Sequence, residues 1–462
     1  MTLIKSISGI RGTIGGSVGD NLTPIDTVKF AAAYGTWIKE QRSKESYRVV
    51  IGRDARISGA MIQNLVMNTL IGMGIDVIDL DLSTTPTVEI AVPLEHADGG
   101  IILTASHNPK QWNALKLLDH NGEFLNSKHS QRVLDIAAAD SMEFAGVDDL
   151  GTITKNQAYF DIHIDAVLDL EHVNVKAIAA CKFKVVVDAV NSTGGIAIPL
   201  LLERLGVEAV KLHCEPNGHF PHNPEPLKQH LTDLSEKVVA TAADFGIAVD
   251  PDVDRLAFMD EKGVMFGEEY TLVACADYIL SHKPGNTVSN LSSTRALRDV
   301  TEKYGGTYTA SAVGEVNVVN AMKASNASIG GEGNGGIIYP ESHYGRDALV
   351  GVALFLSLLA ERKIAVSTLR ASYPSYFMSK KKIDLNPTID VDAILVAMES
   401  KYSQEQISTI DGVKIDFPTE WVHLRKSNTE AIIRIYTEAP TQETADELAD
   451  KIINEIKEVA GL

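Results

Sequence analysis

Residues 246–258 read Gly246-Ile247-Ala248-Val249-Asp250-Pro251-Asp252-Val253-Asp254-Arg255-Leu256-Ala257-Phe258. The first four residues predict a buried strand, and Leu256–Phe258 predict a strand that returns beside it. Their connection carries Asp250, Asp252 and Asp254 at alternate positions. Because an apolar strand does not normally lead into three carboxylates, the segment predicts a strand–loop–strand unit whose loop carries chemistry.

The three carboxylates of this loop can converge on one divalent cation. An all-oxygen ligand set suits Mg²⁺, which also keeps water or a substrate phosphate among its ligands. An EF-hand is a rival, since Glu261 falls at its twelfth position, but its sixth position needs glycine and here is Arg255. A hydrolase with an aspartyl nucleophile, or a solvated acidic turn, would also fit the pattern. We predict a magnesium site.

Strand and helix patterns alternate on both sides of this unit. Cap-and-proline pairs at Thr23-Pro24 and Thr85-Pro86 mark two helix starts, with Thr23 and Thr85 as the expected caps. The alternation occurs three times and predicts mixed, mostly parallel sheets covered by helices. The last part of the chain changes character and predicts a smaller α+β domain. The sequence therefore predicts three related α/β domains and one α+β domain, which cover residues 1–155, 156–257, 258–372 and 373–462.

Composition excludes several classes of protein. The 462 residues include 42 Lys and Arg against 61 Asp and Glu, a net charge of −19, which disfavours nucleic acid and anionic lipid as partners. No apolar run approaches the length of a membrane span, and the N-terminus does not resemble a signal peptide. The three cysteines do not form a disulfide or zinc pattern. We expect a cytoplasmic protein that needs a local set of Arg and Lys to bind any anionic substrate.

Ser106 stands in a second candidate loop, Leu103-Thr104-Ala105-Ser106-His107-Asn108-Pro109, directly after an apolar strand. Ligands collect beyond the carboxyl ends of parallel strands, so this serine is a candidate nucleophile or phosphate carrier. Adjacent residues do not face each other well, and Ser106 and His107 alone are therefore not a nucleophile–base pair. A polar turn is the alternative.

Two further loops carry polar side chains. Residues 330–336 contain five glycines, with Glu332 and Asn334 as the projecting side chains that suit sugar hydroxyls. The spacing does not fit a dinucleotide-binding fingerprint, and a flexible loop is the alternative. Residues 425–430 form a candidate phosphate cradle, or else a polar hairpin turn, and its candidate donors are Arg425, Ser427, Asn428 and Thr429.

The remaining candidates are cations. Arg11 stands in what reads as a glycine-bracketed turn, and Lys116 follows Ser106 by ten residues. Together with His107, Arg255 and Arg425, they would supply the local positive charge that this acidic chain needs for a phosphorylated substrate.

Four such loops in this order resemble the α-D-phosphohexomutase superfamily over the whole length of the chain. The resemblance implies four domains around a central cleft and a phosphate on Ser106. It implies Mg²⁺ held by Asp250, Asp252, Asp254 and Ser106. Pro251 and Val253 depart from the family pattern, in which glycines are common at these positions.

The resemblance also assigns the other loops. It places Arg11, Lys116, His107 and Arg255 beside the reacting phosphate, with Lys116 as the general acid/base. Glu332 and Asn334 would contact the sugar. The distal phosphate would be bound by Arg425, Ser427, Asn428 and Thr429.

The implied reaction moves a phosphoryl group within a hexose or hexosamine monophosphate. Phosphoserine would donate to the free hydroxyl, the bisphosphate would turn around in the cleft, and the other phosphate would return to Ser106. A hexose 1,6-bisphosphate would prime the enzyme, the last domain would move on a hinge, and the protein would be a monomer or homodimer. A metal-dependent phosphatase and a non-catalytic sugar-phosphate sensor are the competing functions.

The sugar loop bears on which hexose phosphate the enzyme takes. It looks like that of archaeal-type phosphoglucosamine mutases. We therefore expect phosphoglucosamine mutase activity, with phosphomannomutase/phosphoglucomutase activity as the alternative.

Overall fold

The computed structural model describes residues 2–6, 9–385, 389–426 and 432–460. Within these residues the chain forms four β-sheets, each built from one continuous part of the sequence. None of the helices in these segments is both long and apolar enough to cross a bilayer. The predicted fold class, three α/β domains followed by a smaller α+β domain, is confirmed.

The first domain has a seven-stranded sheet. Its elements are β1 (Ile4–Ser6), β2 (Gly9–Thr13), α1 (Pro24–Gln41), β3 (Tyr47–Arg53), α2 (Gly59–Gly72), β4 (Ile75–Leu82), α3 (Thr85–Leu94), β5 (Gly99–Leu103), β6 (Trp112–Leu118), α4 (Ser127–Ala139) and β7 (Ile153–Lys155). The strand order is β1-β2-β6-β5-β3-β4-β7. Strands β5, β3, β4 and β7 are parallel neighbours, whereas β1, β2, β6 and β5 pair antiparallel.

The structure corrects the expected setting of Arg11. Its segment is not a turn but β2, in which Arg11 pairs with Ala114 of β6. Lys116 lies on β6 and pairs with Ile102 of β5. Both cations therefore stand on neighbouring strands of one sheet.

The second domain has a four-stranded sheet. Its elements are α5 (Tyr159–Leu168), α6 (Val175–Cys181), β8 (Lys184–Asp188), α7 (Gly194–Arg204), β9 (Glu208–Leu212), α8 (Thr232–Thr241), β10 (Phe245–Val249) and β11 (Leu256–Met259). The strand order is β11-β10-β8-β9, and β11 returns antiparallel to β10. The expected boundary at residue 257 falls inside β11, because that strand completes the second sheet and runs to Met259.

The third domain repeats this plan. Its elements are α9 (Glu268–His282), β12 (Asn286–Asn290), α10 (Ala296–Lys303), β13 (Tyr308–Ser311), α11 (Glu315–Ser325), β14 (Ala327–Glu332), β15 (Gly336–Ile338), α12 (Ala348–Arg362) and α13 (Val366–Ala371). The strand order is β13-β12-β14-β15, and β15 returns antiparallel to β14. The expected glycine-rich loop is shorter than predicted, because β14 continues through Gly330 and Gly331 to Glu332.

The fourth domain has an antiparallel sheet in the order β16-β20-β19-β18-β17 with two helices. Its elements are β16 (Phe377–Asp384), α14 (Val391–Lys401), β17 (Gln406–Ser408), β18 (Val413–Asp416), β19 (Trp421–Lys426), β20 (Ile432–Ala439) and α15 (Gln442–Ala460). Helix α15 buries Leu448, Ile452 and Ile456, whose spacing of four residues keeps one apolar face against the sheet.

The second and third domains share one hydrophobic core. Phe258 of β11 stacks on Phe355 of α12, with ring centroids 3.8 Å apart, and Phe266 meets both rings edge-on. Fully burying such side chains stabilises a fold by roughly 1.5–3 kcal/mol each. The core holds the two sheets side by side, and Leu256 N–H donates to the carbonyl of Gly335 at 3.1 Å across the boundary.

Candidate active site

Three of the predicted loops occupy the same place in their sheets. Residues 104–111 connect β5 to β6, residues 250–255 connect β10 to β11, and residues 333–335 connect β14 to β15, each pair being antiparallel neighbours. The fourth predicted loop, between β19 and β20, includes residues 427–431, which lie outside the described residues. Each loop follows the carboxyl end of a strand, where α/β proteins bind ligands.

Ser106 brings the first two loops together. Its φ of +48° is a left-handed conformation that is uncommon for residues other than glycine. Its backbone N–H donates to Thr104 Oγ1 at 2.9 Å, and its Oγ donates to Asp250 Oδ2 at 2.7 Å. His107 Nδ1 lies 3.3 Å from the same hydroxyl. The serine therefore lies against the acidic loop of the second domain.

Arg56 holds the serine loop and was missed by the sequence analysis. The guanidinium is buried and pairs with Asp54 Oδ2 at 3.0 Å. It also donates to backbone carbonyls along the loop, namely those of Ser106, Asn108, Pro109 and Trp112. A planar fork of donors fits several carbonyls at once, so Arg56 fixes the path of the backbone around Ser106.

The acidic loop has the donor set of a cation site. Asp250, Asp252 and Asp254 are fully buried, and one carboxylate oxygen of each lies within 4.8 Å of the others. Asp252 Oδ1 and Asp254 Oδ1 have no hydrogen-bond partner among the described residues. Buried oxygens without a partner are costly, and an all-carboxylate set suits a hard cation. The three residues therefore fit a bound Mg²⁺.

The carboxylates of this loop repel one another, and Lys116 offsets part of their charge. Burial and the two neighbouring carboxylates raise the pKa of Asp250 well above its ordinary value. Lys116 Nζ lies 2.7 Å from Asp252 Oδ2 and 3.4 Å from Asp254 Oδ2. Burial opposes the charge of Lys116, but these two carboxylates raise its pKa. Lys116 therefore offsets only part of the negative charge of three carboxylates.

Thr85 also contacts the acidic loop, and its expected role as a helix cap is wrong. Thr84 is the cap of α3, and its side chain accepts from Thr87 N–H at 3.1 Å. Thr85 Oγ1 instead donates to Asp252 Oδ2 at 2.6 Å, and its N–H donates to Asp252 O at 2.9 Å. Nothing in the sequence distinguishes the threonine that caps the helix from the adjacent threonine that contacts Asp252. Only the contact between the first and second domains makes this difference visible.

Arg346 is a further cation that the sequence analysis missed. It donates to Asp254 Oδ2 at 2.7 Å, Glu315 Oε2 at 2.9 Å and Glu332 Oε2 at 2.9 Å. It precedes Asp347, the N-cap of α12. The sequence around Asp347 is typical of a helix start, but the sequence does not show where the side chain of Arg346 points. Arg346 links the acidic loop to the predicted sugar loop.

Glu332 and Asn334 lie next to each other at the turn from β14 to β15. Glu332 Oε1 accepts from Asn290 Nδ2 at 2.9 Å, and Asn334 Nδ2 lies 3.4 Å from Glu332 Oε2. Burial favours the neutral carboxyl group, but Arg346 and Asn290 hold the pKa of Glu332 below its ordinary value. The Glu332 side chain is therefore an ionised hydrogen-bond acceptor at the end of β14.

Two arginines near Ser106 have donors to spare. Arg11 on β2 and Arg255 at the end of the acidic loop each have a buried Nε–H without an acceptor among the described residues. Burial, and then Arg434 of the fourth domain, lower the pKa of Arg11. Arg255 Nη1 donates to Glu225 Oε1 at 3.2 Å. Guanidinium groups with free donors are well suited to phosphate oxygens.

Of the remaining predicted residues, His107 and Arg425 lie within the part of the chain that the structure describes. Burial, and then Arg255, lower the pKa of His107 to about 2, so its ring is neutral at Ser106. Arg425 lies near the end of β19, with Nε 2.9 Å from Asp411 Oδ2. Ser427, Asn428 and Thr429 lie outside the described residues.

The arrangement as a whole suits phosphoryl transfer. A hydroxyl stands 2.7 Å from a carboxylate of the candidate cation site, and Arg11 and Arg255 each have a buried Nε–H that could bind a phosphate oxygen. Positioning and charge stabilisation are the main requirements of such a reaction.

Comparisons with known proteins agree with this chemistry. Descriptions of the phosphoglucomutase/phosphomannomutase family match the chain in order: the alpha/beta/alpha domains I, II and III match residues 3–143, 161–263 and 267–376, and the C-terminal domain matches residues 380–455.

Individual relatives match over nearly their whole length. A "Phosphoglucomutase/phosphomannomutase" of Thermococcus kodakarensis is 34% identical, with 97% of this chain and 98% of the relative covered. A "Probable phosphoglucosamine mutase" of Methanopyrus kandleri is 32% identical, with 97% of each covered. The crystal structure of a phosphoglucomutase/phosphomannomutase family protein from Burkholderia thailandensis superposes with a TM-score of 0.85 at 25% identity, covering 99% of this chain and 98% of that one.

Proposed function

The chain belongs to the phosphoglucomutase/phosphomannomutase family and is a phosphohexomutase, and we propose that it interconverts glucosamine 6-phosphate and glucosamine 1-phosphate. The observation that carries the proposal is the 2.7 Å contact between Ser106 Oγ and Asp250 Oδ2, which brings the proposed phosphate carrier to the candidate cation site. Membership of this family replaces the phosphatase and sensor hypotheses.

In the proposed reaction, phosphorylated Ser106 gives its phosphoryl group to a sugar hydroxyl. The P–O bond to Ser106 Oγ breaks, a P–O bond to the sugar oxygen forms, and the proton of the sugar hydroxyl ends on Ser106 Oγ, which leaves as a neutral hydroxyl. A bound Mg²⁺, held by Asp250, Asp252, Asp254 and Ser106, would offset the charge on the transferring group. The free donors of Arg11 and Arg255 would bind the phosphoryl oxygens, and the neutral His107 would line the site.

Lys116 is the proposed proton carrier. Its Nζ is held 2.7 Å from Asp252 Oδ2, and that ion pair keeps it protonated. It could exchange a proton with the sugar oxygen once Asp252 and Asp254 have another positive partner.

The return step would use the second phosphate of a hexose 1,6-bisphosphate. Arg425, with Ser427, Asn428 and Thr429, would bind whichever phosphate is not reacting, while Glu332 and Asn334 contact the sugar. The bisphosphate turned end over end would then present its other phosphate to Ser106, and the same compound supplied from outside would prime the enzyme.

Glu332 supports glucosamine phosphate as the substrate. Its carboxylate is a charged hydrogen-bond acceptor at the turn from β14 to β15. The amino group of glucosamine is a cation, and a carboxylate binds a cation more strongly than it binds a hydroxyl. Glucose and mannose phosphates would lack this charge–charge contact.

The first test compares glucosamine, glucose and mannose 6-phosphates in a coupled assay with a trace of the matching 1,6-bisphosphate and excess Mg²⁺. We expect the highest kcat/KM with glucosamine 6-phosphate, by at least about tenfold, or ~1.4 kcal/mol. Glu332→Gln should reduce this preference, because shared losses cancel in the ratio of kcat/KM values. A preference for glucose or mannose phosphate would favour the activity named for the Thermococcus relative instead.

The second test concerns Ser106. Enzyme purified from cells should contain a fraction heavier by one phosphate, about 80 Da, that is absent from Ser106→Ala. Ser130→Ala is a control, since Ser130 is another hydroxyl of the same domain but belongs to helix α4. Isomerisation at an unchanged rate by Ser106→Ala would exclude the proposed phosphoserine.

A further inference from the structure

A second group of metal-ligand side chains lies in the second domain, apart from the acidic loop. Asp188 ends β8, His213 directly follows β9, and His222 stands in the connection from β9 to α8. Strands β8 and β9 are parallel, with Asp188 opposite Leu212, so Asp188 and His213 emerge at the same edge of the sheet. One ligand atom from each of the three side chains lies within 4.8 Å of the others.

Two of the three distances within this cluster are close to those of a tetrahedral metal site. His213 Nδ1 lies 3.2 Å from Asp188 Oδ2, and His222 Nε2 lies 3.0 Å from the same oxygen. Ligands bound to one Zn²⁺ at about 2.0–2.1 Å and tetrahedral angles would be about 3.3 Å apart. The three atoms could thus take up an ion with small shifts of the side chains.

The outer nitrogens of both histidines face acceptors. His222 Nδ1 lies 2.8 Å from the backbone carbonyl of Asn223, which can only accept a hydrogen bond. His213 Nε2 lies 3.5 Å from the carboxylate of Asp233. Metal-binding histidines almost always have such an outer partner, which fixes the tautomer and turns the other nitrogen toward the metal.

With the ring protons on the outer nitrogens, this arrangement would turn two lone pairs toward a carboxylate. If the outer nitrogens carry the protons, neutral rings present bare nitrogens to Asp188 Oδ2, while Asp188 Oδ1 is already engaged by Val190 N–H at 3.0 Å. Acceptors face acceptors, and the contact is favourable only with positive charge between them. One divalent cation would supply that charge to both nitrogens at once.

We propose that Asp188, His213 and His222 form a binding site for a divalent transition metal, with Zn²⁺ as the best fit and water completing its coordination. Imidazole and carboxylate together favour zinc, whereas the all-carboxylate loop at Ser106 suits Mg²⁺. The site shares no ligand with the acidic loop and does not require the substrate proposed above.

A metal here would fix a segment that contacts the active site. The connection after His213 carries Phe220, which lies 5.1 Å from the Arg56 guanidinium, and Glu225, which contacts Arg255. Arg56 in turn holds the backbone of the Ser106 loop. Binding at the cluster would therefore stabilise the wall of the active site.

The test measures zinc bound to the full chain by equilibrium dialysis against a Zn²⁺ buffer in a large excess of Mg²⁺. We expect one Zn²⁺ per chain, with affinity lowered at least about tenfold in His213→Asn and in His222→Gln. His219→Gln is the matched control, because His219 is an exposed histidine of the same segment. Asp252→Asn is the second control, and neither control should lose the zinc.

A measurement on the unmodified protein covers the case in which the variants do not fold. Anomalous scattering at the zinc edge from crystals soaked in Zn²⁺ and Mg²⁺ should place the ion at Asp188. Zinc found only among Asp250, Asp252 and Asp254, zinc retained fully by both histidine variants, or no zinc at all would overturn the proposal. In the last case the cluster would be held by protons alone.

Discussion

Val253 adopts a backbone conformation that a β-branched side chain rarely takes. Its φ is +65°, and its side chain is fully buried between the second and third domains. A left-handed conformation costs a residue with a Cβ roughly 1–2 kcal/mol, and glycine avoids that cost. This chain accepts that cost and uses the position to pack a side chain into the core.

This strain predicts an unusual order of stability among variants. In urea unfolding with EDTA, we expect Val253→Gly to be no less stable than Val253→Ala, although glycine is smaller and more flexible. Val249, in the adjacent strand β10, is the control: there glycine should be less stable than alanine by about 0.5–1 kcal/mol. The same loss at position 253 would show that the left-handed backbone stores no strain.

Glu269 links the turn from β14 to β15 to the pH dependence of stability. A Cβ added at Gly333 would lie 1.9 Å from Glu269 Oε2, so only glycine lets the turn cover this carboxyl group. Burial raises the pKa of Glu269 to about 8, although Lys380 acts in the opposite direction. The folded protein therefore keeps this proton at pH values where the unfolded chain releases it.

The sign of the effect follows from proton binding. Between about pH 4.5 and about pH 8 the folded state binds more protons at this site than the unfolded state, so stability falls as pH rises, by up to ~1.4 kcal/mol per unit. Glu269→Gln mimics the protonated group and should match the parent protein near pH 5 but exceed it near pH 8. A stability difference that does not change with pH would contradict the raised pKa.

At the scale of elements, the loops were predictable and some of their strands were not. The acidic loop and its returning strand could be predicted because apolar residues lie on both sides of a short charged segment. Strand β2 is different: Gly9 and Gly12 are typical of a turn, and only pairing with β6 makes the segment a strand. Strand β6 lies in the middle of the sheet and is almost wholly buried, so it lacks the alternation that marks a half-exposed strand.

Arg56 shows why part of the site escaped prediction. Its bonds to the Ser106 loop join residues about fifty positions apart, and no local pattern distinguishes Arg56 from Arg53. Candidate residues within one loop are visible as a group, whereas a residue that holds the loop from another element is defined only by packing.

The role of Arg56 as a positioning residue predicts a selective kinetic effect. Arg56→Lys keeps the charge but loses the fork that spans several carbonyls, so kcat should fall at least about tenfold while KM changes little. Arg53→Lys is the matched control, because Arg53 contacts Gln63 and Asp81 and not the serine loop. A rise in KM alone, or equal losses in both variants, would argue against the positioning role.

At the scale of the whole molecule, the candidate active site is built from contacts between domains. Ser106 of the first domain meets Asp250 of the second, and Arg346 of the third meets Asp254 of the second. The sequence order of the loops indicated this assembly through the resemblance to a family. It could not indicate how the fourth domain is attached, since that depends on buried contacts between distant segments.

Arg295 is the centre of that attachment. It is buried at the start of α10, and its guanidinium donates to the carbonyls of Phe417, Pro418 and Glu420 between β18 and β19. Its backbone N–H donates to Glu438 at 3.0 Å. Because Arg425 lies on strand β19, which follows these carbonyls in the chain, the position of Arg425 depends on this contact.

Replacing Arg295 with methionine should loosen the fourth domain without touching the groups around Ser106. Charge-assisted hydrogen bonds contribute about 1.5–3 kcal/mol, so we expect KM for the sugar phosphate to rise about tenfold or more, with a smaller change in kcat. Small-angle scattering should show a larger radius of gyration. Lys382→Met, which removes an exposed cation of the same domain, is the control. Unchanged KM and scattering in Arg295→Met would mean that other contacts between the domains, such as Ser292 with His423, are sufficient to hold the fourth domain in place.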